Sequence, residues 1–256
     1  MNPDWRARYD LAVDAAGKAG RLALAYFDTG LAVEWKGDHS PVTAADREAE
    51  ALLRTTLLGA FSDDGFLGEE LGSTPGSSGF RWIIDPIDGT RSFVRGIPIW
   101  AVLVGLEYRG ELIAGVCRLP AMNQTFRALR GDGAFRGERR LRVSSVDSLD
   151  RAHVYYSSIS WLKQAGVEQQ FLDLVACTER QRGFGDFYGF VMVAQGSGEA
   201  MVDYGVHVWD LAALIPIIEE AGGKMTSWDG AIDLNRADVL ATNGRLHAEV
   251  LRVLRK

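Results

Sequence analysis

The sequence predicts an α/β protein of the looser α+β kind, and three observations carry that expectation. Two amphipathic helical patterns come first, over residues 3–28 and 43–60. Short alternating runs follow over residues 99–108, 111–119, 124–130 and 134–136. They are separated by Arg109 and Gly110 and by Gly131, Asp132 and Gly133, the pattern of an antiparallel meander. From about Asp147 strand and helix patterns alternate. A boundary near residue 147 divides the chain into an N-terminal half, residues 1–146, and a C-terminal half, residues 147–256, with no flexible linker between them.

Each element has a local reason. Asn2 caps the first helix and Pro3 suits its first position. Ala12, Ala16, Ala19, Ala23 and Tyr26 form a small-residue stripe that packs closely against a neighbour. Residues 33–36 read as a short strand ahead of a polar turn at Gly37, Asp38, His39 and Ser40. Thr43 and Asp46 have the form of a capping box, and Ala49, Leu52, Leu53, Thr56, Leu57 and Ala60 supply the buried face of the second helix. Residues 66–70 are a short apolar run ending in Gly68, Glu69 and Glu70. The polar connector at 72–79 reads as a surface loop near the site.

The stretch 82–93 is central. Trp82, Ile83 and Ile84 form an apolar strand ending in Asp85, where Pro86 stops the ladder. Asp88 follows three residues later, then Gly89, Thr90, Arg91 and Ser92. Carboxylates at a strand end hold a hard cation, and N–H groups opening a helix hold a phosphate. Turn chemistry alone also accounts for Asp-Pro and Asp-Gly. Beyond the boundary, 152–157 and 200–204 read as strands and 161–177 and 187–195 as helices. Residues 206–223 read as one apolar helix, kinked at Pro216 and ended by Gly222 and Gly223, with Asp210 in its first turn.

Composition excludes several classes. A 256-residue chain with 47% hydrophobic and 24% charged residues is an ordinary globular protein. Its net charge of −6 leaves no basic footprint for nucleic acid or an anionic membrane. No signal pattern and no spanning apolar run is present, and Cys117 and Cys177 sit far apart in apolar surroundings as reduced thiols, so a cytoplasmic location is expected. His39, His153, His207 and His247 lack zinc spacing and read as structural or surface residues.

Taken singly, Asp46 and Asp210 are dipole-favoured first-turn acids. Taken together, Glu69, Asp85, Asp88 and Asp210 each end or begin a hydrophobic element, so a fold that gathers them requires a counter-ion. Oxygen-only donors select Mg²⁺, Mn²⁺ or Ca²⁺ over zinc.

Gly68, Glu69 and Glu70, the run from Trp82 to Thr90, and Trp209 and Asp210 with Ala221, Gly222 and Gly223 resemble the inositol monophosphatase family, in consistent order from Ser40 to Asn243. The resemblance implies a layered αβαβα sandwich and a homodimer. It also implies hydrolysis of a small-molecule phosphate ester with two or three Mg²⁺ ions, or Mn²⁺ in their place. By the same resemblance Glu69, Asp85, Asp88, Asp210 and the Ile87 carbonyl are metal ligands, and Asp46 and Thr90 activate water, with Glu69 counted in the catalytic set. The N–H groups of Gly89 and Thr90 hold phosphate. Ser40 to Arg47, Gly89 to Phe93, Gly185 to Tyr188 and Ala213 to Ile218 resemble the histidinol-phosphate phosphatase branch. In the inositol enzymes the position of Asp203 is commonly Glu. Asp186 and Asp203 pair with a cationic amine in this reading, with a surface or turn aspartate as the alternative for each; Arg91 approaches phosphate or caps a carbonyl. Inositol 1-phosphate, a sugar bisphosphate or a nucleotide 3′-phosphate are the alternative substrates, and an idle scaffold of the same fold is the non-enzyme alternative.

Overall fold

The first helix, α1 (Pro3–Tyr26), begins where Asn2 Oδ1 accepts from Asp4 N at 2.9 Å, and Pro3 lies at its start. It buries the expected alanines together with Ala15, while Tyr26 is half-buried. A small ribbon of β1 (Glu34–Trp35) and β2 (Pro41–Val42) leads to α2 (Ala44–Ala60). The computed structural model describes residues 2–30, 32–35, 37 and 41–255; Lys36 and the expected turn residues Asp38, His39 and Ser40 lie outside the described residues. The buried side of α2 is Ala45, Asp46, Ala49, Glu50, Leu53 and Leu57, with Leu52 and Thr56 half-buried and Ala60 exposed. The helix turns one step further than its apolar pattern suggests, because it buries two acids.

Next come β3 (Gly65–Gly68), β4 (Gly72–Thr74), β5 (Phe80–Asp88), the single turn α3 (Thr90–Phe93), β6 (Ala101–Tyr108) and β7 (Glu111–Leu119). The meander ends with β8 (Gln124–Leu129), β9 (Gly133–Arg136) and β10 (Arg139–Arg140). These strands form one eight-stranded sheet in the order β10-β9-β8-β7-β6-β5-β3-β4. Two expectations are corrected here. Pro86 does not end the ladder. Asp85 pairs with Leu103 and Asp88 with Ala101, so the strand carries one extra residue across a β-bulge and resumes. The connector 72–79 is not a free loop beside the site. Its first part is β4, and Ser77 and Ser78 N–H groups donate to the Asp63 carbonyl.

The C-terminal part holds β11 (His153–Tyr156), α4 (Ile159–Gln164), α5 (Glu168–Ala176), β12 (Arg180–Arg182), α6 (Asp186–Ala194) and β13 (Ala200–Tyr204). It closes with α7 (Val208–Leu211), α8 (Leu214–Glu220), β14 (Lys224–Thr226), β15 (Asp238–Thr242) and α9 (His247–Leu254). The second sheet runs β12-β11-β13-β15-β14. The helix expected over 161–177 is two helices, divided where Gly166 takes φ +74°. The helix expected over 206–223 is also two, and its break falls at Ala212 and Ala213, before Pro216. Pro216 sits in the first turn of α8, where a missing N–H loses no helical bond. At the far end Gly222 N donates to Glu219 O and Gly223 N to Ile218 O, the expected glycine stop.

Five layers result. α1 and α2 cover one face of the first sheet, and α6 and α8 lie between the sheets. α4, α5 and α9 cover the outer face of the second. This is the αβαβα sandwich.

Candidate active site

The site forms where the first sheet, α2, α6 and α7 meet. β3 and β5 are parallel neighbours, with Gly68 opposite Ile84, so the residues that follow, Glu69 and Asp85, emerge side by side. Glu69 N donates to Ile84 O at 3.3 Å and fixes that relation. Glu50, buried on α2, braces the same turn. Its carboxylate accepts from Glu70 N and Leu71 N, each at 2.8 Å. A side chain on Gly68 would collide with that carboxylate, hence the glycine. Sequence reasoning missed Glu50; its signal was an acid one turn beyond Asp46 on a face that also carries Ala49 and Leu53.

The bulge in β5 delivers Asp85, Ile87 and Asp88 within one turn of chain. Asp85 is 2% and Asp88 8% exposed. Burial first, then the charges of Glu69, Asp88, Asp210 and Asp46, hold the Asp85 carboxyl well above the carboxylate range. Burial, then Asp186 and Asp210, do the same for Asp88.

Asp210 arrives from α7. Gly105 and Gly115 are paired on β6 and β7, and a Cβ on either would strike Ala212 or Ala213. That flat spot seats the α7–α8 break and sets Asp210 beside β5. Asp186 starts α6 at φ +46°, a left-handed conformation that Asp adopts more readily than most residues. Burial, then Asp210, push its carboxyl up to about 6, opposed by the Arg91 guanidinium.

Asp46 serves two structures at once. Its Oδ2 accepts from Thr43 N at 2.8 Å and Thr43 Oγ1 at 2.6 Å, completing the helix cap. Its Oδ1 lies 3.4 Å from Thr90 Oγ1, which donates to the Ile87 carbonyl at 2.9 Å. Burial raises its carboxyl above the usual value, against the two Thr43 bonds. Gly89 takes φ +88°, and a Cβ there would meet Ile99 O at 3.0 Å and Asp186 Oδ2 at 3.3 Å.

Glu69, Asp85, Ile87, Asp88, Gly89, Thr90, Arg91, Asp186 and Asp210 all line one cavity of about 970 Å³. Asp46 stands behind Thr90, outside the lining. Asp203 is also outside it, 4% exposed, accepting from Ser157 Oγ and from Tyr204 N. Burial pushes Asp203 up to about 8. Trp161, Gln164, Tyr204 and Asn235 line the cavity too, and no local pattern marked them; Trp209, which belongs to the quoted motif, also lines it, and so does His207, whose expected structural or surface role is corrected to a place in the cavity wall. No residue of 72–79 does.

The donor set is oxygen only, as a hard cation requires. Among the described residues no three acid, imidazole or thiol side chains are drawn together into a ready cage. Each central carboxylate instead rests one oxygen on a backbone N–H. Asp85 Oδ1 accepts from Ile87, Asp88 Oδ2 from Phe187 and Asp210 Oδ2 from His207, at 2.9, 3.0 and 2.7 Å. The like-charge repulsion among these buried acids favours a cation beside them.

The sequence profile of the inositol monophosphatase family matches residues 4–256. The chain belongs to the inositol monophosphatase family. As a member it is a phosphatase, in a family that is generally metal-dependent. It is 42% identical over 247 residues to a histidinol-phosphatase of Mycobacterium tuberculosis, covering 94% of this chain and 95% of that one. It is 35% identical over 258 residues to an inositol-1-monophosphatase of Mesorhizobium japonicum, with 98% and 97% covered. The crystal structure of the extragenic suppressor protein suhB from Bartonella henselae superposes with a TM-score of 0.91 at 35% identity, over 98% of this chain and 99% of that one.

Proposed function

We propose that this family member hydrolyses a small, cationic phosphate monoester, with histidinol phosphate the best candidate. The observation that carries the chemistry is the pair of buried, mutually repelling carboxylates Asp85 and Asp88 facing a cavity beside the Asp46–Thr90 contact. Glu69, Asp85, Asp88, Asp210 and the Ile87 carbonyl would hold Mg²⁺, two or three ions in all, or Mn²⁺. Cations bound there would offset the carboxylate charge, lower the pKa of a water and stabilise charge on the phosphoryl oxygens.

The protein's own groups do the rest. Backbone N–H groups of Gly89 and Thr90 hold the phosphate, and Arg91 adds positive charge at the rim. With its hydroxyl turned from the Ile87 carbonyl to Asp46, Thr90 Oγ accepts a proton from the attacking water as it passes its own to the Asp46 carboxylate, which returns that proton to solvent after turnover. The water oxygen attacks phosphorus in line, the P–O bond to the alcohol breaks, and the departing alkoxide takes a proton from solvent.

The substrate reading is supported by the name of the 42%-identical relative and by Asp186 in the cavity wall, an acid suited to an ammonium group. Asp203, expected beside Asp186 at the amine, is dropped from that pairing, because it is buried outside the cavity with its carboxylate bonded to Ser157 Oγ and Tyr204 N. An inositol phosphate is the second reading, favoured by the name of the 35%-identical relative. The enzyme is further proposed to be a cytoplasmic homodimer whose halves, 1–146 and 147–256, act as one compact unit. Among the described residues no helix is long and apolar enough to cross a membrane.

Phosphate release from histidinol phosphate and inositol 1-phosphate, measured side by side with Mg²⁺ and with EDTA, tests this. Mg²⁺-dependent preference for histidinol phosphate is expected. Preference for the inositol ester would overturn the substrate, and turnover in EDTA equal to that in Mg²⁺ would overturn the chemistry.

A further inference from the structure

Part of the cavity wall is aromatic, and the hydrolytic reading gives it no task. Trp161, on α4, lines the cavity and remains 38% exposed. The core does not require it, because the next residue, Leu162, is the one that α4 buries. Its indole rests against Gly205, where φ is +87° and a Cβ would come within 3.4 Å of the ring. The start of α4 is tied to the sheet by the Ser157–Asp203 hydrogen bond. A large aromatic surface is therefore held in place and turned toward a cavity whose other wall is carboxylate.

An indole face with carboxylates nearby attracts a group that is both flat and positively polarised, since the face of the ring is itself electron-rich. The hydroxyl groups of a polyol would find no partners on it. Aromatic residues also supply contact area with little rotamer entropy to lose.

We propose that Trp161 is a specificity-determining residue, taking the flat, nitrogen-bearing ring of the leaving-group alcohol on its indole face. The inference rests on the phosphatase reading above and names what that site selects. A stacked or cation–π contact of this kind is worth about tenfold in affinity.

The test compares histidinol phosphate with phosphoethanolamine, which keeps the amine and lacks the ring, at saturating Mg²⁺. Trp161→Ala should raise KM for histidinol phosphate about tenfold while kcat changes less than about threefold, so that the ratio of the two kcat/KM values falls about tenfold. Trp161→Phe should restore most of that ratio. An equal loss on both esters, or no loss on histidinol phosphate, overturns the proposal. If the wild-type chain hydrolyses neither ester, the substrate reading has failed separately, and the contact is judged by binding alone. Histidinol that quenches tryptophan emission of the wild type and not of Trp161→Phe then supports the wall; equal quenching in both, or none, overturns it.

Discussion

The buried acids of this protein live in two opposite kinds of surroundings. Asp64, 1% exposed, accepts from Arg8 Nε at 2.8 Å and Nη2 at 2.9 Å, and from Ser78 Oγ at 2.7 Å. The Arg8 guanidinium is in turn held over the rings of Phe61 and Phe80, 4.1 and 3.8 Å from their centroids. Every charge there has its opposite. Asp85 and Asp88 are buried too, yet the charges around them are Glu69, Asp186 and Asp210. The first arrangement holds the fold together, whereas the second weakens the fold unless a cation joins it. The difference teaches how to separate a structural acid from a working one: burial does not distinguish them, but the sign of the neighbours does.

The largest expected effect breaks the second arrangement. Asp88→Asn should lower phosphate release by about a thousandfold, as loss of a metal-bound electrostatic contact does. Its melting temperature in EDTA should equal or exceed that of the wild type, because one repelling charge is gone. A clear fall in that temperature would place Asp88 with Asp64 as a structural acid. Asp46→Asn should follow, reducing kcat roughly a hundredfold for loss of a general base while the Mg²⁺ half-saturation moves less than threefold. Unchanged kcat would leave Asp46 as a helix cap only.

Asp64→Asn reverses the pattern. It leaves the Arg8 charge buried without its carboxylate, which costs about 3–5 kcal/mol. At about 2–4 °C per kcal/mol, that lowers the melting temperature by roughly 10 °C. The kcat of the folded protein should stay within about twofold, and a large fall in kcat at a temperature where the variant is folded would break the comparison. Mg²⁺ at a hundred times its dissociation constant should stabilise the wild type by about 2.7 kcal/mol, and Asp88→Asn by distinctly less.

The last comparison concerns a third kind of buried group. His247 is 3% exposed, with its ring nitrogens 2.9 Å from the hydroxyls of Thr226 and Thr242, and burial pushes its pKa down to about 4. The unfolded chain therefore binds the proton more readily between about pH 6.5 and pH 4. Stability from this group is complete above that window and is lost as pH falls through it, with a slope of at most about 1.4 kcal/mol per pH unit. The melting temperature of His247→Gln, measured against the wild type from pH 7 to 4.5, should fall less steeply on acidification.

Much of the site was legible because the signals are local. Asn2 and the Thr43–Asp46 box are short-range hydrogen-bond patterns, and they cap α1 and α2 as expected. The meander follows from period-2 alternation and glycine turns, and its strands pair in sequence order. Glu69, Asp85, Asp88 and Asp210 stood out because each bounds an apolar element, and all four line one cavity. Helix continuity was less legible, since apolar periodicity ran through Gly166 and through Ala212 and Ala213 without a break.

What the chain by itself determined is where the capped helices and the meander strands begin and which chemical groups stand at their ends, for caps, turns and alternation act over a few residues. Tertiary structure decided which of those ends meet. The Gly105–Gly115 pair gains meaning only when α7 and α8 land on it, and Glu50 only when β3 turns above it. Asp64 became a structural acid and Asp85 a repelled one because of partners fifteen or more residues away in sequence, Arg8 for the first and Glu69 for the second. The physical reason is that burial makes charge interactions strong, and burial is a property of the assembled layers rather than of any one of them.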